Sequence, residues 1–316
     1  MGCEVLTSGY VSMDHMIKIK TPARVGFTSL IDNGSCSTTY YGGCSVNIAY
    51  ALSRLGRSAM PVLRVGPDWE TNGFKEFLVE GGVPLDATTV VDGETTSVCY
   101  LIQDNDGQHI TCFYPGAMDA RYHQELDPAL FDGVRYGVIT VAALTDNEEF
   151  YARCQEARVP VVFGMKSDDD AFPKPFLDEL LHHSEVIFTN EAEREAIEAE
   201  FGLGSITDLF DRGEAKVIVT TIGAKGSTYY HLDESTGEIE SACVPACECT
   251  QVVDCTGGGD AYMAGFLYGL LDGRELAECC RMGSTLSSFV LEREGCCTGI
   301  PSADEFMNRY ERFRTC

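Results

Sequence analysis

The sequence predicts an α/β layered domain: a mostly parallel sheet covered by helices on both faces, carrying a small β-sheet lid. Three observations predict it. Near-continuous apolar runs, GVITVAAL, VPVVFGMK, EVIFTN and KVIVTTIG, recur from about Val134 onward. The amphipathic stretches DNEEFYARCQEA, PKPFLDELLHHS and EAEREAIEAEFGL alternate with them. Strands apolar on both sides and joined by helices belong to a parallel sheet buried on both faces. Two early segments break this rhythm. Gly26–Tyr41 is polar and β-branched and reads as strand material, and Thr96–Pro115 reads as a hairpin turning at Asp104-Asn105-Asp106-Gly107. Val98, Tyr100 and Ile102 share one alternating face of that hairpin. These pieces are expected to form the lid, over about 15–41 and 96–116. No repeat, low-complexity tract or long linker divides the chain, so 1–316 is expected to be a single domain. Its last third is mostly helical and closes with SADEFMNRYERF, where Ser302 and Glu305 have capping-box spacing.

Composition narrows the partners. The 23 basic and 49 acidic residues leave a net charge of −26 and a pI near 4.4, while 44% hydrophobic residues supply a large core. Nucleic acid and anionic membrane reward positive charge, so neither is expected as a partner. No apolar run reaches the roughly 18 residues of a membrane span, and the start has no basic region followed by an apolar core. The fifteen cysteines are therefore expected to be reduced thiols of a cytoplasmic protein. Cys243-x3-Cys247-x-Cys249 lacks the paired spacing of zinc sites and reads as idle or buried thiols. The acidic run Ser167–Asp170 reads as a solvated loop.

The most informative segment is Thr250–Gly273. Val252-Val253 read as a strand end, Asp254-Cys255-Thr256 as a turn, and Gly257, Gly258 and Gly259 lead to Asp260, which opens an apolar helix. Glycines at a helix N-terminus expose amides at the positive end of the dipole and bind an anion. An ionised carboxylate beside such a nest suits phosphoryl transfer, the amides holding the phosphate and the carboxylate taking a hydroxyl proton. Taken alone, a glycine turn capped by Asp explains the segment equally well. It is neither a P-loop nor a Rossmann fingerprint, because no G-x4-G-K-[ST] occurs and position 262 is Tyr. A second segment, Tyr41–Gly56, places Gly42-Gly43 before a helix with Asn47 in its first turn, where an amide can both donate to and accept from a substrate hydroxyl. By itself it is an ordinary glycine turn.

Spaced together, these segments resemble the ribokinase-like (PfkB) carbohydrate kinases over nearly the whole chain. The N-terminal signature matches Gly42, Gly43, Asn47 and Leu55-Gly56; the C-terminal D-x-T-G-x-G-D matches Asp254, Thr256, Gly257, Gly259 and Asp260, with Gly258 where Ala is usual. The resemblance implies Asp260 as general base and the amides from Gly257 through Asp260 as the anion hole. It implies Asp14, Gly43 and Asn47 as holders of sugar hydroxyls, although Asp14 alone would be a strand-terminating carboxylate. Asp254 would support the substrate or its loop, near where relatives bind a monovalent cation such as K⁺. Asn190 and Glu193 match N-x-x-E, which positions phosphates and the hydration shell of Mg²⁺, and they also have capping-box spacing. Thr221, Gly223, Lys225 and Gly226 match the strand end lining the ATP site, and Ser284 and Ser287 are candidates for the adenine edge.

The expected activity is ATP- and Mg²⁺-dependent phosphorylation of a hydroxymethyl group on a ribose-type sugar or nucleoside. Another sugar such as fructose is the alternative, and a non-catalytic sensor on the same fold is a second. Phe113 and Tyr114 resemble what nucleoside-kinase-like members carry; they either stack on a base or fill the lid core. Exposed lid edges make a homodimer through the lid plausible.

Overall fold

The computed structural model describes residues 2–22, 24, 26–106 and 109–314. In chain order the strands are β1 (Val5–Ser8), β2 (Ser12–Lys18), β3 (Tyr40–Gly42), β4 (Ala59–Pro61), β5 (Leu63–Val65), β6 (Thr88–Val90) and β7 (Val98–Gln103). They continue with β8 (His109–Tyr114), β9 (Tyr136–Ile139), β10 (Val161–Gly164), β11 (Ser184–Asn190), β12 (Val217–Thr221), β13 (Ser227–Leu232) and β14 (Ile239–Val244). The helices are α1 (Cys44–Arg54), α2 (Phe74–Glu80), α3 (Leu144–Ala157), α4 (Lys174–His183), α5 (Glu191–Phe201), α6 (Gly258–Leu271), α7 (Leu276–Leu291) and α8 (Ala303–Arg314).

The central sheet has the order β14-β13-β12-β11-β10-β9-β1-β4. It is parallel from β4 to β12, and β13 and β14 continue it antiparallel. Alternation along each strand divides the core. Val5, Val138, Val162 and Val186 face the layer of α1, α6, α7 and α8. Leu6, Ile139, Phe163 and Ile187 face α3, α4 and α5. Fully buried side chains such as Phe266 and Leu267 each contribute about 1.5–3 kcal/mol of transfer free energy. Helix α6 is buried nearly all round, which makes it the rigid post at the centre of its layer. Pro61, which cannot donate to a ladder, sits in the edge strand β4.

A second sheet, β3-β2-β7-β8, stands beside this body, with a short parallel pair of β5 and β6. The hairpin of β7 and β8 forms as the sequence indicates, although Gly107 of its tip lies outside the described residues. Gly26–Tyr41 does not form the expected strand material. Only an Ile19–Ile31 bridge and β3 pair, and a 3-10 turn occupies Gly34–Ser37. The reason is Asn33, which accepts from the Lys18 N–H at 2.8 Å and donates to the Met16 carbonyl at 2.8 Å. One side chain thereby replaces a stretch of ladder. Val252-Val253 are likewise loop rather than strand. Both are largely exposed, and the Val253 N–H is tied to the Leu291 carbonyl at 2.8 Å. Asp14 does not end a strand: it lies inside β2, on the small sheet.

Candidate active site

The glycine run and Asp260 converge at the N-terminus of α6. Gly257 is the N-cap at φ +77°, a left-handed conformation that favours glycine, and a side chain there would run into Cys296. Because the helix begins at Gly258, Asp260 falls in the first turn and does not cap it; no side chain caps α6. This removes the simpler reading of Asp260 as an N-cap. Its carboxylate, 3% exposed, is aimed elsewhere. Asn47 Nδ2 donates to Asp260 Oδ2 at 2.8 Å. Asp260 Oδ1 is buried without a hydrogen bond, and the Lys166 ammonium stands 3.4 Å from it. A buried carboxylate oxygen left without a donor is costly unless a ligand or a charge compensates it.

Asn47 is presented by α1, whose start depends on Gly43. That residue has φ +96°, and a side chain there would strike the Tyr10 carbonyl. Asn47 Oδ1 in turn accepts from the Cys297 thiol at 3.3 Å, which fixes the amide's orientation. Gly42 is needed for space rather than for its dihedrals. A Cβ there would lie 2.9 Å from Asn47 Oδ1 and 3.3 Å from Asp14 Oδ2, so these two polar atoms border one small volume. Asp14 accepts from the Ser12 hydroxyl at 2.6 Å. Burial pushes its carboxyl up to about 6, with Asp254 and Asp260 adding to the rise and the Ser12 bond opposing it. Burial, together with Asp260, also pushes the Cys44 thiol up to about 12, so it stays neutral beside the carboxylate.

Asp254 works within its own loop. Its Oδ1 accepts from the Thr256 N–H at 2.9 Å and the Thr256 hydroxyl at 2.7 Å, and its Oδ2 accepts from the Gly295 N–H at 3.1 Å. The carboxylate thereby clamps the glycine turn to the segment after α7.

Two cavities flank the glycine turn, and Cys255 lines both. One, of about 510 Å³, is lined by Thr221, Gly223, Gly226, Gly258, Gly259, Ser284 and Ser287 among others. The other, of about 460 Å³, lies against the small sheet, where Met16, Lys18, Leu101 and Gln103 face Asp254 and Thr256. Register sorts the lid aromatics. Phe113 pairs with Cys99, which pairs with Asp14, so Phe113 shares Asp14's face, while Tyr114 lies on the opposite face.

Other sequence-predicted residues fall as follows. Asn190 and Glu193 do form a capping box at α5, and Glu193 is buried. Burial raises the Glu193 carboxyl, opposed by the Asn190 N–H and by Lys166. Lys225 is exposed in the turn Gly223–Lys225 and does not line the cavity that its neighbours line. Ser284 Oγ accepts from the Cys247 N–H at 2.7 Å and so also holds the loop that walls the cavity. Among the described residues no three His, Cys, Asp or Glu side chains gather into a metal-binding group, and the described cysteines are free thiols. Lys166, two residues beyond β10, was not marked by the sequence. Its signal is positional, because ligands of open α/β sheets sit at the carboxyl ends of the strands, whereas its sequence neighbours Ser167–Asp170 have the composition of a solvated loop.

The pattern of the pfkB family carbohydrate kinase matches residues 6–303. A nucleoside kinase of Methanocaldococcus jannaschii is 31% identical over 278 residues, 87% of each chain. The crystal structure of the Methanocaldococcus jannaschii nucleoside kinase superimposes with a TM-score of 0.85 at 25% identity, covering 99% of this chain and 100% of that one. The structure of a Burkholderia thailandensis nucleoside kinase in complex with inosine gives a TM-score of 0.84 at 22% identity, covering 99% of both. No helix among the described residues is long and apolar enough to cross a membrane.

Proposed function

We propose a nucleoside kinase, starting from the family: the chain belongs to the pfkB family carbohydrate kinases, phosphotransferases with an alcohol group as acceptor. In this reading ATP gives its γ-phosphoryl group to the hydroxymethyl group of a nucleoside's ribose. One observation carries it. Asp260 stands in the first turn of α6, next to the glycines that line the first cavity, with a buried carboxylate oxygen that accepts no hydrogen bond from the protein. That oxygen is placed to accept a substrate hydroxyl's proton.

The acceptor enters the cavity at the small sheet. Asp14 and Asn47 accept from its ribose hydroxyls, and Gly42 leaves the room between them. Phe113, on the same face, is the surface for the base, which favours a nucleoside over a free sugar. Few basic residues line this side, so an acceptor already carrying a phosphate is disfavoured. The nucleotide lies in the other cavity, with adenine toward Ser284 and Ser287 and phosphates toward Gly258 and Gly259. Lys225 reaches a phosphate in this reading only by swinging in from the rim.

The oxygen of the acceptor attacks the γ-phosphorus in line as its proton passes to Asp260. The amides at the start of α6 hold the phosphoryl oxygens. Mg²⁺ bound to the nucleotide supplies charge neutralisation between the phosphates. Glu193, buried near Asp260 and Lys166, is the carboxylate that fits its hydration shell. The Asp254 loop is the candidate place for a monovalent cation, tested by exchanging K⁺ for a bulky organic cation. Lid strands β2, β3, β7 and β8 close over the acceptor, and two copies pair through the outer lid face, where Tyr100 stacks on His15 beside exposed Ile110. Light scattering checks this pairing against twice the 34.5 kDa chain mass. Reduced thiols fit the cytoplasm.

The test is product identification. With Mg·ATP and a nucleoside, phosphorus NMR is expected to show a 5′-monophosphate; a product phosphorylated on a ring hydroxyl, or on free sugar alone, refutes this assignment.

A further inference from the structure

One cation stands beside the proposed base, and neither signature segment contains it. Lys166 follows β10, a central strand of the parallel sheet, and leaves it at the carboxyl end. Its Nζ lies 3.4 Å from Asp260 Oδ1, while its side chain remains 37% exposed. Asp260 foremost, with Glu193 adding, holds the ammonium firmly protonated against its partial burial. The charge therefore acts on both the base and the carboxylate assigned to the metal's hydration shell.

The two oxygens of Asp260 are not equivalent. Oδ2 is occupied by the Asn47 amide, whereas Oδ1 has no hydrogen bond, with the Lys166 ammonium 3.4 Å away and the neutral Cys44 thiol beside the carboxylate. A substrate hydroxyl must therefore donate to Oδ1, next to the ammonium. Once it does, an ammonium with three donors and a flexible stem has the reacting oxygens within reach. The amides of the glycine nest are neutral, so Lys166 is the protein's full positive charge nearest the base.

We propose that Lys166 is a catalytic residue that pairs with Asp260 in the resting enzyme and contacts the phosphoryl group during transfer. The inference rests on the kinase reading above. The bond balance is unchanged by it. The acceptor O–H proton goes to Asp260, the new O–P bond forms, and the bond from the γ-phosphorus to the bridging oxygen breaks with its electrons retained by ADP. Lys166 remains an ammonium throughout and stabilises charge on the equatorial oxygens.

The test uses the full chain, Mg·ATP, and whichever of inosine, adenosine or cytidine the wild type turns over fastest. Lys166→Met is expected to lower kcat by about 10²–10³-fold, the scale of removing one charge-stabilising donor. It should leave the KM for nucleoside within about threefold, because the lysine acts on the transition state rather than on the bound acceptor. The acidic limb of the kcat/KM profile should move to higher pH, and Lys166→Arg, which keeps the charge, should recover at least about tenfold of the lost rate. A Lys166→Met enzyme within about threefold of wild-type kcat overturns the proposal. So does a lost rate in both variants accompanied by collapsed thermal melting, which makes Lys166 purely structural. Failure of the wild type with every nucleoside and sugar, with its fold intact, instead removes the kinase reading and this inference with it.

Discussion

The two sides of Asp260 are built from opposite materials. On the side proposed for the nucleotide, the cavity is lined by glycines at a helix start and small hydroxyls: Gly258, Gly259, Ser284 and Ser287. On the acceptor side the structure offers buried, mutually constrained side chains: Asp14 bonded to Ser12, and Asn47 bonded to both Asp260 and Cys297. The difference teaches where affinity and specificity reside. A nest of amides recognises any phosphate that fits and keeps its dipoles whatever the nearby side chains are. A buried carboxylate and amide recognise one hydroxyl pattern and lose it with a single atom.

Substitutions on each side should therefore differ in kind. The largest effect belongs to the centre itself: Asp260→Asn should lower kcat by about 10³-fold or more with the melting temperature held, measured by coupled ADP release. Near-wild-type turnover would erase the distinction between the two sides.

Asp14→Asn comes next and should separate affinity from stability. Its folded-state carboxyl is raised from 3.8 to about 6. Between roughly pH 4 and 6 the folded chain holds a proton that the unfolded chain releases, so the contribution of this group to stability falls as pH rises through that window. Above it the ionised, buried group costs the fold about 1–3 kcal/mol. The Asn variant should accordingly be more stable at pH 7 in denaturant titrations, while its KM for nucleoside rises by about 10- to 100-fold. In the wild type that KM should also climb as pH falls through about 6, and the Asn variant should lack this limb.

Two glycines sharpen the nucleotide side. Gly257→Ala meets Cys296 at a left-handed φ and should cost about 1–3 kcal/mol of stability. Gly259→Ala meets nothing within 4 Å, so it should fold normally and instead raise the KM for ATP by about tenfold, its methyl standing before the amides. Equal stability losses in both would show that the nest is only a packing feature. The smallest effect concerns salt. With backbone amides as binders and a net charge of −26, ATP affinity should change less than about threefold between low and moderate ionic strength, yet vanish on chelation of divalent metal.

Much of this was legible because the relevant residues are locally constrained. The apolar runs became β9, β10, β11 and β12, since alternation and flanking helices leave a doubly covered strand few alternatives. Gly43 and Gly257 were readable because each caps a helix start at a positive φ, and Asn47 and Asp260 because each follows such a glycine within the first turn. What stayed hidden depends on contacts across the chain. Asn33 replaces ladder bonds of β2 from 15 residues away, so Gly26–Tyr41 looked like a strand. Asp14 looked like the end of a central strand because the turn from β1 into the small sheet, through Gly9–Val11, has no turn signature stronger than one glycine. Lys166 carries no local pattern at all; only the sheet's topology brings it to Asp260, 94 residues later in the chain.

The central claim is that Asp260 activates a nucleoside hydroxyl toward ATP. Its most direct test is the kcat/KM for ADP release across inosine, adenosine, cytidine, ribose and fructose, each with Mg·ATP. The account predicts at least one nucleoside about tenfold or more above both sugars, with one nucleoside monophosphate formed per ADP. Fructose or ribose turning over faster than every nucleoside, or ADP appearing without a phosphorylated acceptor, would contradict it.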